Sequence, residues 1–156
     1  MNMADTIADR TMVIERVIDA PLNRVWSAWT DPNALPRWWG PEGFSCRTAR
    51  IDLREGGEWV FDMIGPDGTV YPNHHRYHLF DRQSGIDYTL HWGENGPKHA
   101  DASARFEDLG GRTKVTLTMT FVTTAEYETA IGFGAAELGQ ETLAKLERFA
   151  GEEISR

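Results

Sequence analysis

The sequence predicts an α+β domain in which a curved antiparallel sheet of about six or seven strands wraps one long C-terminal helix, with two short helices after the first strand. Three observations predict it. Apolar and polar residues alternate with a period of two through the middle of the chain. Glycine-containing turn signals cut that region into stretches of strand length. The C-terminal stretch then changes to a single apolar stripe with spacings of three and four.

Residues 12–18, from Met12 to Ile18, are rich in β-branched side chains and predict the first strand. Pro21, after Asp19 and Ala20, stops it and opens a helix. Apolar residues at 22, 25, 26 and 29 give that helix its inner face, and Thr30-Asp31-Pro32 ends it. A second short helical piece runs from Asn33 to Trp39 and stops at Gly40-Pro41. Turn signals follow at Gly56-Gly57, Pro66-Asp67-Gly68, Ser84-Gly85, Glu94-Asn95-Gly96 and Gly110-Gly111. Between them Ile86, Tyr88, Leu90 and Trp92 alternate with polar residues, as do Ala100, Ala102, Ala104 and Phe106, and Val115, Leu117, Met119 and Phe121. Each such strand has one face to cover.

The C-terminus supplies the cover. Thr123 and Glu126 fit a capping box. From there Tyr127, Ile131, Ala135, Leu138, Thr142, Leu146 and Phe149 form one stripe along a helix of about seven turns. Glu137, Glu141, Lys145 and Arg148 occupy the opposite face. Residues 1–10 are expected to be a flexible tail, and residues 11–152 a single domain.

Charge and composition exclude several classes. With 16 Lys and Arg against 24 Asp and Glu, the 156-residue chain carries a formal charge of −8 and no basic run, so nucleic acid and anionic membrane surfaces are not expected partners. The single Cys46 forms no internal disulfide, and the N-terminus lacks the apolar core of a signal peptide. No segment reaches the roughly 20 apolar residues of a membrane span. A soluble, cytoplasmic protein is expected. Six Trp in so short a chain exceed what an ordinary core needs, and leave one for a homodimer contact.

The inward positions outline a candidate ligand pocket. The strands contribute Trp59, Phe61 and Met63, then His75 and Tyr77, then Tyr88, Leu90 and Trp92, then Phe106 and Met119. Trp39 adds an aromatic wall, and Ala135, Leu138 and Gly139 line the helix side. The inward alanines at 100, 102 and 104 leave room between sheet and helix. Gly132, Gly134 and Gly139, each costing about 1 kcal/mol against Ala, either permit close packing or keep a flexible mouth. Two adjacent Trp at 38 and 39 predict one indole inside and the other on the surface or in a dimer contact. His75, with Tyr77 and Tyr88, supplies the few polar groups that orient a ligand in an apolar pocket.

Metal binding is not predicted. His74, His75 and His78 share a strand, where residues four apart stand roughly 13 Å from each other, beyond the reach of one ion. Cys46 reads as structural. No nucleophile elbow, phosphate loop or dinucleotide fingerprint occurs, so no catalytic residue and no cofactor is assigned.

Several motifs stand in order along the chain: Asp19-Ala20-Pro21, Val25-Trp26, Ala28-Trp29-Thr30-Asp31-Pro32, Arg37-Trp38-Trp39-Gly40-Pro41 and Asp52-Leu53-Arg54-Glu55-Gly56-Gly57. Gly65-Pro66-Asp67-Gly68-Thr69, Tyr71-Pro72 and Phe106-Glu107-Asp108-Leu109-Gly110-Gly111 follow, with Leu143 to Leu146 in the last helix. In this order they resemble the family of activators of the 90-kDa heat-shock protein ATPase, in the START-like (SRPBCC) superfamily. The resemblance implies the helix-grip, Bet v 1-like fold and an enclosed hydrophobic cavity. It also implies a chaperone as partner and a place in the stress response. Where that family usually has a Gly-Trp pair in the last helix, this chain has Leu138-Gly139, which predicts a larger cavity.

Three functions follow from these features. The first is non-catalytic binding of a small hydrophobic or amphipathic molecule in the cavity. The second is a chaperone-activator type of interaction module. The third is an enzyme acting on an apolar ring compound, with His75, Tyr77 or Tyr88 as acid or base.

Overall fold

The strand order follows from the turns. A computed structural model describes residues 6–154, with eleven elements: β1 (Thr11–Ile18), α1 (Leu22–Thr30), α2 (Leu35–Trp38), β2 (Ser45–Asp52), β3 (Glu58–Ile64), β4 (Val70–Asp81), β5 (Gly85–His91), β6 (Lys98–Asp108), β7 (Thr113–Phe121), α3 (Thr124–Gly132) and α4 (Ala135–Ile154). Short turns join β2 through β7, so these strands pair as a meander. The two helices carry β1 to the far side, where it pairs with β7. The sheet order is β1-β7-β6-β5-β4-β3-β2, antiparallel throughout.

Inward positions fill the space between the curved sheet and the helices. Met12, Ile14 and Ile18 of β1 are buried, whereas Val13 and Val17 face solvent, as the period of two requires. Val25, Ala28 and Trp29 of α1 and Leu143, Leu146 and Ala150 of α4 complete the core. Helix α4 is anchored at both faces. Arg16 of β1 pairs with Glu147 at 3.0 Å. On the other side Lys145 Nζ donates to the carbonyls of Pro41 and Phe44 at 3.3 and 3.2 Å, and Arg148 pairs with Glu42. The charged helix face read from the sequence as the side opposite the core is therefore a clamp on the 40–44 loop.

The C-terminal helix is not continuous. Helix α3 ends at Phe133, whose amide donates to Thr129 and Ala130, and Gly134 adopts φ 81°. A left-handed residue directly after the cap favours glycine and lets the chain leave the helix axis. The apolar stripe continues across the break, which is why spacing alone reads as one helix. The capping box is half formed: the Glu126 amide donates to Thr123 Oγ1 at 3.1 Å, but Glu126 Oε2 has no hydrogen-bond partner among the described residues.

One other expectation changes, and two further features stand beside it. Trp38 and Trp39 both turn inward, because α2 ends at Trp38 and Trp39 is extended at φ −65°, ψ 140°. Their rings meet at 5.6 Å, and Trp38 Nε1 donates to the Ala28 carbonyl at 2.9 Å. A bulge between Tyr77 and Leu79 reverses the parity of β4, so Leu79 faces solvent and Phe80 packs on Tyr77 with ring centres 5.2 Å apart. Of the expected flexible tail, residues 1–5 lie outside the described residues, and Ala8–Arg10 form a 3-10 turn whose Arg10 donates to the Phe121 carbonyl.

Candidate ligand-binding site

An open cavity of about 620 Å³ lies between β5, β7 and the two C-terminal helices. Its floor is Tyr88 and Leu90 of β5 with Leu117, Met119 and Phe121 of β7. Met12, Ile14, Trp39 and Met63 form the sides, and Ala135, Leu138 and Gly139 of α4 the roof. Trp92 and Phe133 in its lining are 56% and 79% exposed, so the cavity is open to solvent.

Nine of the fourteen residues read from the sequence as pocket residues border this space: Trp39, Met63, Tyr88, Leu90, Trp92, Met119, Ala135, Leu138 and Gly139. The other five do not. Trp59 and Phe61 stack at 3.6 Å, and His75 lies against Trp39, Trp59, Phe61 and Tyr88 with ring centres 5.0–5.4 Å away. Tyr77 packs on Phe80 and Tyr88, and Phe106 packs edge-on to Trp26 and Trp29. These five are filled core beside the cavity. Trp92 borders the cavity for another reason than expected: it lies past the end of β5 and stacks on His99 at 3.9 Å.

The alanines at 100, 102 and 104 are buried, but they do not line the space. Gly139 serves close approach. A Cβ there would stand 2.2 Å from Ile14 Cδ1, so β1 occupies part of the volume that the missing Trp was expected to free. Gly134 instead makes the helix break.

The buried polar groups have distinct electrostatics. His75 is 3% exposed; burial holds its pKa down to about 3, with smaller repulsion from His99, His74 and His91. Burial pushes the Tyr77 and Tyr88 phenols above their ordinary range, so both stay protonated. Cys46 is pushed up to about 12 by burial, against the opposing pull of Lys145, which makes it an inert thiol.

Two residues of the lining escaped the sequence reading. A bulge places Leu90 opposite Ala100 and His91 opposite Lys98, leaving His99 unpaired and turned into the cavity. Burial, with a smaller contribution from His91, lowers its pKa to about 4. Glu126, spent on the capping box in the sequence reading, also lines the cavity.

The remaining histidines belong to the sheet's outer face. His74 is bonded to Glu58 at 2.9 Å, and Glu58 and Glu94 share Arg50. Thr89 bridges His78 and His91 at 3.1 Å each. Among the described residues no group of three or more His, Cys, Asp or Glu could hold a metal ion. A second hollow of about 470 Å³ at the β2–β3 turn is bordered by Asp52, Arg54, Glu58, Arg76 and His78, a polar surface whose Arg54 and Asp52 are already paired at 2.7 Å.

The family model for Activator of Hsp90 ATPase homolog 1-like protein matches residues 19–151. The chain belongs to this family. No curated protein matches the chain. Among solved structures it is similar to a Nitrosomonas europaea protein at 24% identity and TM-score 0.85, covering 96% of this chain and 99% of that one. An Arthrobacter aurescens protein follows at 24% identity and TM-score 0.84, covering 94% and 89%, and a Mycobacterium smegmatis protein at 21% and 0.82, covering 98% of both. These likenesses carry the START-like fold. Activator-homologue domains of this fold are of ligand-binding type in general. Among the described residues no helix is long and apolar enough to cross a membrane.

Proposed function

We propose that this domain binds a small, mainly apolar organic molecule in the cavity between β5, β7 and the C-terminal helices, without transforming it. The observation that carries the reading is the cavity itself. Its volume of about 620 Å³ falls within the range of small-molecule sites, roughly 300–1,000 Å³, and its walls are mostly apolar. A packed core rarely leaves a void larger than a water molecule. Here Leu90, Leu117, Met119 and Leu138 face a common open space. Apolar surface of this kind gains free energy when a ligand removes it from water, at roughly 25 cal/mol per Å².

Native mass spectrometry and titration with an apolar fluorescent probe test the reading. The expected result is saturable one-to-one binding, displaced by hydrophobic compounds and lost in Leu138→Trp, whose indole fills the space. A probe that fails to saturate would sink it.

The family supports a second reading, a chaperone-directed interaction module. Trp92, Ile131 and Phe133 are exposed apolar side chains that could offer a contact for a protein. Retention of a chaperone in a pull-down, lost in Phe133→Ser, separates this reading from the first.

A further inference from the structure

The cavity lining is mainly apolar, and two polar side chains in it, His99 and Glu126, have a common deficiency. His99 is only 8% exposed, yet both its ring nitrogens are buried with no hydrogen-bond partner among the described residues. Glu126 Oε2 is likewise buried and unpartnered. The two residues come from adjoining segments: the Val122 amide donates to the His99 carbonyl at 3.1 Å, and α3, which carries Glu126 in its first turn, begins at Thr124. Buried polar atoms are ordinarily satisfied, and a cluster left bare beside a cavity marks where a ligand's polar group belongs.

The chemistry of that group can be read from what lines the cavity. Glu126 supplies the single acidic side chain in the described lining, and no lysine or arginine accompanies it. A carboxylate accepts hydrogen bonds and donates none. Burial keeps His99 neutral near pH 7, so its imidazole offers one acceptor and one donor. The Thr142 hydroxyl is committed to the Leu138 carbonyl at 3.2 Å within its own helix. An anionic head would therefore meet Glu126 with no cation to balance it, whereas an N–H-bearing cation would satisfy the carboxylate and the bare imidazole nitrogen together.

We infer that the occupant is an organic amine, its ring or chain lying along Leu90, Met119 and Leu138 and its protonated nitrogen donating to Glu126 and His99. This assignment rests on the reading that the cavity holds a ligand.

Three matched probes test it on the intact protein: naphthalenemethylamine, naphthalenemethanol and naphthaleneacetate, which share the apolar body and differ in the head. The amine is expected to bind about tenfold or more tightly than the alcohol, and the carboxylate more weakly than either. Glu126→Gln should erase the amine's advantage over the alcohol, with circular dichroism and an unchanged melting temperature certifying that the variant is folded. Equal binding of all three, or a preference for the carboxylate, overturns the head assignment while leaving the cavity reading intact. An amine preference that survives Glu126→Gln overturns it too. If none of the three binds and the general apolar probe of the previous test also fails, the cavity reading itself falls and this inference with it.

Discussion

The concave side of the sheet has two halves, one aromatic and one mainly aliphatic, and only the aromatic one is full. Toward β3 and β4, Trp59, Phe61, His75 and Tyr77 interlock with Trp39 in ring contacts of 3.6–6.3 Å. Toward β5 and β7, Tyr88, Leu90, Leu117 and Met119 face open volume instead. The halves also differ in what covers them. The first half is sealed by Trp38 and Trp39, brought inward where α2 ends. The second is roofed by α3 and α4, which separate at Phe133 and Gly134. The cavity goes with both differences: a broken covering chain above and smaller, aliphatic side chains beneath it.

The sharpest way to break that contrast is to empty the full half. Trp59→Ala removes a fully buried indole from a stacked pair and is expected to cost about 3–5 kcal/mol, read by urea denaturation. Probe affinity in the open half should hold, provided the titration is done well below the unfolding midpoint. A Trp59→Ala protein with unchanged stability would show that the two halves are alike in looseness.

A smaller effect concerns the charge state of the full half. His75 is neutral when folded, with its pKa held near 3 against an ordinary value of 6.5. Between those values the unfolded chain takes up a proton that the folded one refuses, so stability falls as pH drops. From pH 6.5 to about pH 5 the loss from this residue is on the order of 1–2 kcal/mol. His75→Leu should remove that share of the slope and leave the part due to His99. Parallel slopes in wild type and variant would count against a buried neutral His75.

The smallest effect belongs to the open half. In Gly139→Ala the new methyl would meet Ile14 Cδ1 at 2.2 Å, with the next atoms of Ile14 at 3.6 Å or more. In a full core such overpacking costs about 1–3 kcal/mol. Because Ile14 borders the cavity, its terminal methyl can swing into the open space, and the expected cost is below about 1 kcal/mol with a loss of probe affinity. A large destabilisation with unchanged affinity would mean that this wall is as rigid as the full half.

Much of this arrangement was readable from residue order. Alternation identified the inward faces of β5 and β7, and the helical stripe found Ala135 and Leu138, because both signals are local. What was hidden depends on register between strands or on where a helix ends. The bulge at His99 turns an otherwise outward side chain into the cavity, and only the pairing with β5 shows it. Glu126 fits a capping motif, so spacing alone assigns its carboxylate to the helix start and not to the cavity. Trp59 and Phe61 have the alternation expected of a pocket wall; their burial is decided by Trp39, far away in the chain but adjacent in space.

The clamp formed by Lys145, Arg148 and Glu42 has a consequence for traffic. It fastens the 40–44 loop, and with it the wall made by Gly40 and Pro41, to α4. Opening that wall would mean breaking several bonds at once, whereas α3 meets α4 through a single glycine joint. On the proposed ligand-binding reading, the expected route for a molecule is therefore past α3 rather than past the 40–44 loop.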